Sequence, residues 1–489
     1  MNRYAGTTRT LFTGLFSAQM IATLQVYLSN IDLYRDLAAM ENAGYFIIPS
    51  RQIMDRLHEF GPAFFGGLFF TMTIGAGLSI LTLVVVWAWD RLFSRSKLFI
   101  LFYLLFLIGC VASVNHRVFC PVVTSYFIVI PVVIFMSALK WMPAKDTKGV
   151  LFSFIPFILL GLLWSFQMSN TLFHDIRDNL LLSNSLGTKI NNLYYKYTLY
   201  PAQVFKQLGQ KPLKSYSLGY FQDGSSTGLL EKELRKHDYL NTGQGDNVDL
   251  KISQVDNILV FENRGRRILQ TSFKDFLSRP ASVLKDFSLK SDRHHFFRQF
   301  VLFSLVTGFP ILVCIISHTV FRLVLAFFLD LKISSNIASI FCFLLGAALL
   351  VPFYSIAEIK PDAKDLASAM ESDRWQVRAS ALKTITQKGI EVGGFPSYQK
   401  MSASPHTLER CWLVSALGVS RLPETYEDLL VLIDDPQPNV IRKAFYALGQ
   451  RGETRAVKVI IKRINGSEHW YNQLYAYRAL RTLGWKQPG

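Results

Sequence analysis

Residues 98–114 read LFILFYLLFLIGCVASV, a run with no charged side chain. A helix needs ~20 predominantly apolar residues to cross a bilayer. Six further segments have a similar length and composition, and none carries a charge near its centre: residues 10–29, 63–88, 118–139, 149–167, 299–317 and 333–355. These seven segments predict a polytopic α-helical membrane bundle, which makes the fold class mostly α.

The uncharged segments also argue against ion or proton transport, because transporters keep ionisable groups inside the membrane. The net charge of +17 is spread over loops and two polar regions, without a compact basic motif, so we expect no nucleic-acid partner. Five cysteines occur without a CxxC pair, which gives no support for a metal site or another cofactor. Cys110 and Cys120 flank a short hairpin, and the sequence leaves their pairing open.

Clusters of Lys and Arg in short loops predict the topology. The cytoplasmic clusters are Arg3 and Arg9; Arg91, Arg95 and Lys97; and Lys140, Lys145 and Lys148. The N-terminus is then cytoplasmic and the loop 30–62 lies outside, with two amphipathic helices around 31–42 and 50–60 on the membrane surface. We expect a multi-pass protein of a bacterial-type inner (plasma) membrane.

Two polar regions follow membrane segments. Residues 168–297 combine helical stretches with three alternating runs at 248–253, 257–262 and 267–272, and the turn Asn263-Arg264-Gly265-Arg266 predicts a hairpin. This predicts a small extracytoplasmic α+β module. Membrane helices 6 and 7 occupy 298–356, so residues 357–489 should lie on the same side as the module. A full crossing by 318–332 would reverse that result, and the sequence leaves it open.

The C-terminal region repeats a small-residue pattern. Ala416-Leu417-Gly418, Ala447-Leu448-Gly449 and Thr482-Leu483-Gly484 recur at intervals of roughly 30–35 residues, a period typical of solenoids. The turn Asp434-Asp435-Pro436-Gln437-Pro438-Asn439-Val440 and the closing Ala-Leu-Gly resemble the short HEAT-like repeats of the phycobilisome-lyase type, best over residues 425–452. The resemblance implies a recognition surface rather than catalysis. Residues 1–356 resemble no family that we recognise.

Two acidic clusters are candidate catalytic sites. Asp32 and Asp36 follow the first apolar segment, where some membrane glycosyltransferases place catalytic carboxylates, but i,i+4 acids beside Arg35 also suit a solvated helix face. His174, Asp175 and Asp178 follow the fifth segment and equally suit a polar helix end. Neither cluster has the spacing of a metal site, and the sequence favours a protein that is not an enzyme.

The leading hypothesis is therefore a membrane interaction or assembly protein, a scaffold that docks a partner protein on residues 357–489. Candidate partner-binding residues are Arg378, Arg410, Arg442 and Lys443 near the starts of the second helices of the repeats, unless these side chains bond to the preceding turns. Two alternatives remain: a membrane enzyme acting on a lipid-linked substrate through the outer-loop carboxylates, and an accessory subunit of a transport complex.

Overall fold

The computed structural model describes residues 3–140, 155–221, 224–243, 248–353, 361–362, 364–464 and 466–488, without the side chains of 3–5, 224–226 and 331–332. Three parts are present: a bundle of apolar helices, a mixed α/β module, and a C-terminal helical solenoid. Lys145 and Lys148 of the predicted third basic cluster lie outside the described residues.

Seven helices form the first part of the chain. They are α1 (Arg3–Asn42), α2 (Arg51–Met54), α3 (Phe60–Phe70), α4 (Ala76–Arg91), α5 (Lys97–Asn115), α6 (Pro121–Leu139) and α7 (Ile155–Ser165). A 3₁₀ turn, Asp55–His58, follows α2, and a π-helical turn, Thr71–Gly75, joins α3 to α4. The bundle is completed by α14 (His295–Val306), α15 (Gly308–Leu325) and α16 (Leu331–Ala348).

Six helical spans within the described residues are long and apolar enough to cross a membrane: Gly6–Asn42, Phe60–Arg91, Lys97–Asn115, Pro121–Leu139, His295–Leu325 and Ile333–Phe353. They coincide with six of the seven predicted segments. The remaining segment, 149–167, is described only over the 11-residue helix α7, and its first part lies outside the described residues. Residues 318–325 form the end of α15 and not a separate re-entrant piece.

One prediction for the outer loop is wrong. Residues 31–42 are not a separate surface helix, because α1 continues without a break from Arg3 to Asn42. Residues 51–58 are helical, as expected, but Ile53, Met54 and Leu57 are buried in the protein core. The apolar faces that suggested membrane-surface helices therefore pack against the chain itself.

Small and polar side chains hold α1 in the bundle. A Cβ on Gly75 would lie 2.5 Å from the Cβ of Ala18, so glycine allows the two backbones to approach closely. The Gln19 amide donates to the Phe64 carbonyl at 2.8 Å and accepts from the Thr71 hydroxyl at 2.6 Å. These contacts satisfy polar groups inside an apolar bundle, where an unpaired group would be costly.

Helices and a five-stranded sheet form the middle of the chain. The helices are α8 (Leu172–Asp175), α9 (Ser185–Tyr197), α10 (Leu199–Phe205), α11 (Gly224–Lys236), α12 (Phe273–Ser278) and α13 (Pro280–Lys290). A π-helical turn, Ile176–Leu181, and a 3₁₀ turn, Leu208–Gln210, lie between them. The strands are β1 (Lys214–Leu218), β2 (Tyr239–Asn241), β3 (Leu250–Val255), β4 (Ile258–Asn263) and β5 (Arg266–Ser272).

The sheet has the order β2-β1-β3-β4-β5. β1 runs parallel to both β2 and β3, whereas β3, β4 and β5 form an antiparallel meander. Arg264 and Gly265 connect β4 to β5 with φ values of 50° and 74°, which is the type I′ geometry that two-residue hairpins favour. The three strands expected from alternation are present, and β1 and β2 add a parallel edge that the sequence analysis missed.

The solenoid consists of two layers. Four longer helices form one layer, here called the long-helix layer: α18 (Trp375–Lys388), α20 (Thr407–Val419), α22 (Pro438–Arg451) and α24 (Trp470–Thr482). Shorter helices alternate with them: α17 (Leu366–Met370), α19 (Tyr398–Met401), α21 (Pro423–Val431) and α23 (Ala456–Ile464), with 3₁₀ turns at Val392–Gly394 and Leu432–Asp434.

Glycines in the predicted repeat endings set the spacing of the long-helix layer. A Cβ on Gly418 would lie 2.7 Å from the Cβ of Ala447, and a Cβ on Gly449 would lie 3.1 Å from the Cα of Ala479. Each glycine therefore lets one long helix contact the next through backbone atoms. This is the structural reason for the Ala-Leu-Gly recurrence in the sequence.

One continuous cluster of buried apolar residues joins the bundle to the solenoid, through Val26 and Met40 of α1, Ile48 of the following loop, and Leu480 of α24. Hydrogen bonds follow the same path: Ser50 N donates to Gln473 Oε1 at 2.8 Å, and Phe46 N donates to Gln487 Oε1 at 3.0 Å. The α/β module has its own core around Phe261.

Candidate functional site

Two of the four predicted partner-binding residues lie in ion pairs between neighbouring repeats. Arg378 of α18 bonds Glu409 through Nε at 2.5 Å, and Arg410 of α20 bonds Asp435 through Nε and Nη2 at 2.6 and 3.1 Å. The side chains of Glu409, Arg410 and Asp435 are 0%, 8% and 3% exposed. These arginines also donate to carbonyls of the preceding turns, at Ser372 and Ser404 respectively.

A third buried arginine, which sequence analysis missed, has the same kind of role. Arg451, at the end of α22, donates to the Leu417 carbonyl at 3.1 Å, to the Thr425 hydroxyl at 2.9 Å and to the Leu422 carbonyl at 3.1 Å. It therefore saturates polar groups at the end of the previous repeat, which would otherwise be buried without partners.

The other two predicted residues, Arg442 and Lys443 of α22, line a large cavity. Its volume is about 1030 Å³, and it lies between the solenoid, the β1–β2 edge of the α/β module and the segment that follows α7. Among the residues that the structure describes, seven Lys and Arg side chains line it but only one carboxylate, that of Asp238; the seven are Arg177, Lys211, Lys214, Arg442, Lys443, Arg478 and Arg481. We call this space the basic cavity.

Three of the seven cations have carboxylate partners. Arg177 bonds Asp178 at 2.7 Å, Lys211 bonds Asp249 at 2.8 Å, and Arg481 lies 2.9 Å from Asp238. Burial alone would lower the pKa of Lys211, but its acidic neighbours outweigh burial and raise it. These three cations are therefore neutralised within the protein.

The other four, Lys214, Arg442, Lys443 and Arg478, have no carboxylate within 4.0 Å in the part of the chain that the structure describes. Lys214 donates to the His237 carbonyl and Lys443 contacts the Ser415 hydroxyl at 3.2 Å. Burial lowers the pKa of both lysine amines, although Asp238 and Asp249 near Lys214, and Asp178 near Lys443, act in the opposite direction. The cavity wall is thus an electropositive surface short of negative charge.

The two arginines of this group both lie against the Tyr475 ring. The Arg442 guanidinium lies 5.0 Å from the Tyr475 ring centroid and the Arg478 guanidinium lies 5.5 Å from it. Arg442 also lies 5.9 Å from the Tyr195 ring, is only 9% exposed, and has a buried Nε without a hydrogen-bond partner among the described residues. Stacking on aromatic rings positions a guanidinium without using its N–H donors.

The outer-loop carboxylates contact the α/β module, and Asp36 also lines a small cavity of about 20 Å³ beside Lys211. Asp32 lies 3.5 Å from Arg35 and 3.4 Å from Arg264, and Asp36 lies 3.6 Å from Lys211. Both carboxylates therefore join the end of α1 to the module. A catalytic role for them stays an untested prediction.

The second acidic cluster is divided. His174 lines the basic cavity, whereas Asp175 accepts a hydrogen bond from the Thr171 hydroxyl at 2.8 Å and Asp178 pairs with Arg177. Within the described residues, no three His, Cys, Asp or Glu side chains are grouped to hold a metal ion. The five cysteine thiols, including Cys110 and Cys120, are free.

Lys206 lies behind the cavity wall. Its Nζ is buried without a hydrogen-bond partner in the described part of the chain and lies 5.0 Å from the Trp470 ring centroid. Burial and the neighbouring cations Arg478 and Lys211 lower the pKa of its amine to about 8. The excess of positive charge thus extends beyond the cavity surface.

Only some residues of the basic cavity could be predicted from the sequence. Arg442 and Lys443 were identifiable from their position after the Asp-Asp-Pro turn of one repeat, and Arg478 and Arg481 lie at i,i+3 spacing on α24. Arg177, Lys211 and Lys214 come from other parts of the chain, and their approach to the solenoid depends on tertiary packing.

We expect Asp435→Asn to lower the stability of the full-length protein by about 3 kcal/mol, because it leaves the buried Arg410 guanidinium without its charge partner. A lower melting temperature in detergent micelles would measure this loss. The matched control is the adjacent Asp434→Asn. Asp434 pairs with Arg463, but the two side chains are 53% and 48% exposed, so the change should cost less than about 1 kcal/mol. Equal effects of the two substitutions would contradict the assignment.

Lys206→Met should raise stability at pH 7 by roughly 2 kcal/mol, because it removes a buried, unpaired charge. Between pH 8 and about 10.5 the unfolded state binds the Lys206 proton and the folded state does not. The stability of the wild type therefore rises with pH in that window, and the advantage of the variant should shrink there.

Melting temperatures of both proteins at pH 7 and pH 10 test this. The exposed Lys196, whose amine lies 5.8 Å from the Tyr197 ring, is the control for stacking, and Lys196→Met should show no such pH-dependent gain. A Lys206→Met variant that is less stable than the wild type at pH 7 would overturn the prediction.

Comparison with known proteins assigns the C-terminal part. Searches of curated proteins and of solved structures find no match to this chain. Residues 398–481 match the family model for HEAT repeats, a range that includes α20, α21, α22 and α23 and most of α24. The match confirms the HEAT-type resemblance seen in the sequence, and residues 398–481 of the solenoid, which contribute to one wall of the basic cavity, are therefore HEAT repeats.

Proposed function

We propose that this chain is an integral membrane protein that uses its HEAT solenoid to hold a partner protein at the membrane. The observation that carries the proposal is the HEAT match over residues 398–481, because HEAT repeats generally mediate protein–protein interaction. The apolar bundle supports membrane anchoring, and the exposed surface of the solenoid supports partner docking.

The bundle exposes large apolar side chains, and these support membrane insertion. On α5, Phe102 and Ile108 are 62% and 61% exposed, and on α16 Leu344 is 55% exposed. Exposed apolar side chains of this size, repeated along several helices, form a patch too large for a protein surrounded by water. A bilayer would cover it.

Contacts at one end of the bundle support a common side for both polar regions. Arg117, in the hairpin between α5 and α6, donates to the Leu289, Lys290 and Asp292 carbonyls of the α/β module. The loop after α1 bonds the solenoid through Ser50. Arg91 at the end of α4, Arg95 in the following loop and Lys97 at the start of α5 lie at the other end of these helices. The positive-inside rule therefore supports an extracytoplasmic side for the module and the solenoid.

The first half of the solenoid leaves an exposed surface among the described residues, which supports docking of a partner there. Gln437, Arg442, Tyr477 and Gln487 contact the module and the loop after α1, and all belong to the last two repeats. Residues 366–431 precede these contacts and present exposed side chains on both layers. Lys383 of α18 is exposed on the long-helix layer, and Val431 at the end of α21 is 68% exposed.

Single-cysteine labelling tests the topology. We expect Lys274→Cys in the module and Lys383→Cys in the solenoid to react with a membrane-impermeant maleimide added outside intact cells. Lys97→Cys should react only after permeabilisation, because it lies at the other end of the helices. The wild type, whose cysteines are all at least partly buried, measures the background. Opposite behaviour of Lys274→Cys and Lys383→Cys would contradict a common side.

Site-specific photo-crosslinking in the native membrane tests partner docking. A photoreactive amino acid at Lys383 or Val431 should give a discrete adduct with one protein, identified by mass spectrometry. Val255 of β3, at 56% exposure, is the matched control in the module and should give none. Absence of an adduct at both solenoid positions in a protein that is correctly inserted would refute the docking role.

A further inference from the structure

We infer that the basic cavity is a binding site for a phosphate-type polyanion, a phosphate or diphosphate group carried by a small molecule or by a lipid. This inference is independent of the protein-docking role, because it concerns the internal face of the last two repeats. It depends on the cavity's shape, its charge and the groups that the fold leaves without partners.

The cations of the cavity wall outnumber the carboxylates that pair with them among the described residues. Of the seven cations in the wall, Arg177, Lys211 and Arg481 have carboxylate partners, and four others have none within 4.0 Å in the described part of the chain. Gathering several like charges in a partly enclosed space is unfavourable unless a counter-charge enters. An anion with two or more negative charges would supply it.

Arg442 is enclosed by the protein but lacks a hydrogen-bond acceptor for its Nε. The side chain is 9% exposed and lies against the rings of Tyr195 and Tyr475, and no described residue accepts from this nitrogen. A buried guanidinium nitrogen without an acceptor is rare in folded proteins, so the positive charge of Arg442 is poorly compensated within the chain. Arg442 also lines the cavity, and an anion bound there would lie beside this guanidinium.

The kinds of donor in the wall favour phosphate over a monovalent anion. The Arg442 and Arg478 guanidinium groups lie 5.0 and 5.5 Å from the Tyr475 ring centroid, and planar guanidinium groups bind tetrahedral phosphate oxygens through paired N–H donors. Lys443 and Lys214 add ammonium donors from different parts of the wall. A volume of about 1030 Å³ leaves room for the group to which the phosphate is attached.

The source of the phosphate is either soluble or a lipid headgroup. His174 and Arg177 bring the segment that follows the apolar helix α7 into the cavity wall, so the cavity begins where the chain leaves the bundle. A lipid phosphate could therefore reach it as well as a small molecule could. The experiment separates the two.

Full-length protein in a non-ionic detergent is first washed with high salt, which removes bound anions. One arm titrates it with inorganic pyrophosphate and follows binding by calorimetry. The other arm adds phosphatidic acid or, as the neutral comparison, phosphatidylcholine to the micelles and follows the melting temperature.

Arg478→Gln is the main variant, because Arg478 is exposed and its loss should not affect folding. Arg442→Gln is the second variant, and Lys458→Gln, on the exposed side of α23, is the charge-matched control.

We expect saturable binding in at least one arm. Arg478→Gln and Arg442→Gln should each weaken it by about tenfold or more, as for the loss of a charged hydrogen bond, whereas Lys458→Gln should change it less than about twofold. Binding of pyrophosphate with that variant pattern identifies a soluble ligand, and a response to phosphatidic acid alone identifies a lipid headgroup. Absence of binding in both arms, or equal effects of Arg478→Gln and Lys458→Gln, would overturn the inference.

Discussion

The uninterrupted helix α1 is the constraint on which the arrangement of the whole chain depends. Its 40 residues extend over roughly 60 Å at 1.5 Å per residue, about twice the ~30 Å of a hydrocarbon core. The second half therefore projects from the apolar bundle. Asp32 and Asp36 on this projecting half bind Arg264 and Lys211 of the α/β module, and Met40 begins the apolar contact that continues into the solenoid. One helix thus sets the position of both polar parts relative to the bundle.

The solenoid contains two kinds of arginine near the starts of its long helices. One kind pairs with carboxylates, and the other contacts aromatic rings and the basic cavity. Arg378 and Arg410 reach carboxylates of the following repeat and carbonyls of the preceding turn, so each requires one particular register between neighbouring helices. Breaking such a pair is costly even where the intact pair contributes little net stability. Arg442 occupies a comparable position in α22, but it meets aromatic rings and a cavity instead of a carboxylate. The same sequence pattern therefore yields an ion pair between neighbouring repeats at Arg378 and at Arg410. At Arg442 it yields a cation without a carboxylate partner among the described residues.

Features that depend on local sequence were predictable. Apolar length located the six spans, alternation located β3, β4 and β5, and the Arg264-Gly265 turn followed from the preference of two-residue hairpins for positive φ. Features that depend on distant partners were not. The continuation of α1 through residue 42 resembles a separate amphipathic helix in sequence, because the surface that covers its apolar face belongs to other parts of the chain. The strands β1 and β2 are short and lack clear alternation, with four consecutive buried residues in β1.

The basic cavity also could not be predicted from the sequence, since its wall is assembled from segments that are hundreds of residues apart. Its position also links it to the orientation of the solenoid. Arg442 and Arg478 come from the last two repeats, whereas Arg177 and Lys214 come from the segment after α7 and from the module. Arg177 is paired with Asp178, so the uncompensated charges that face each other across this contact are Lys214 of the module and Arg442 and Arg478 of the solenoid. A phosphate group bound between them, as inferred above, would replace their repulsion by attraction on both sides. The inferred site would then stabilise the contact that joins the solenoid to the rest of the protein.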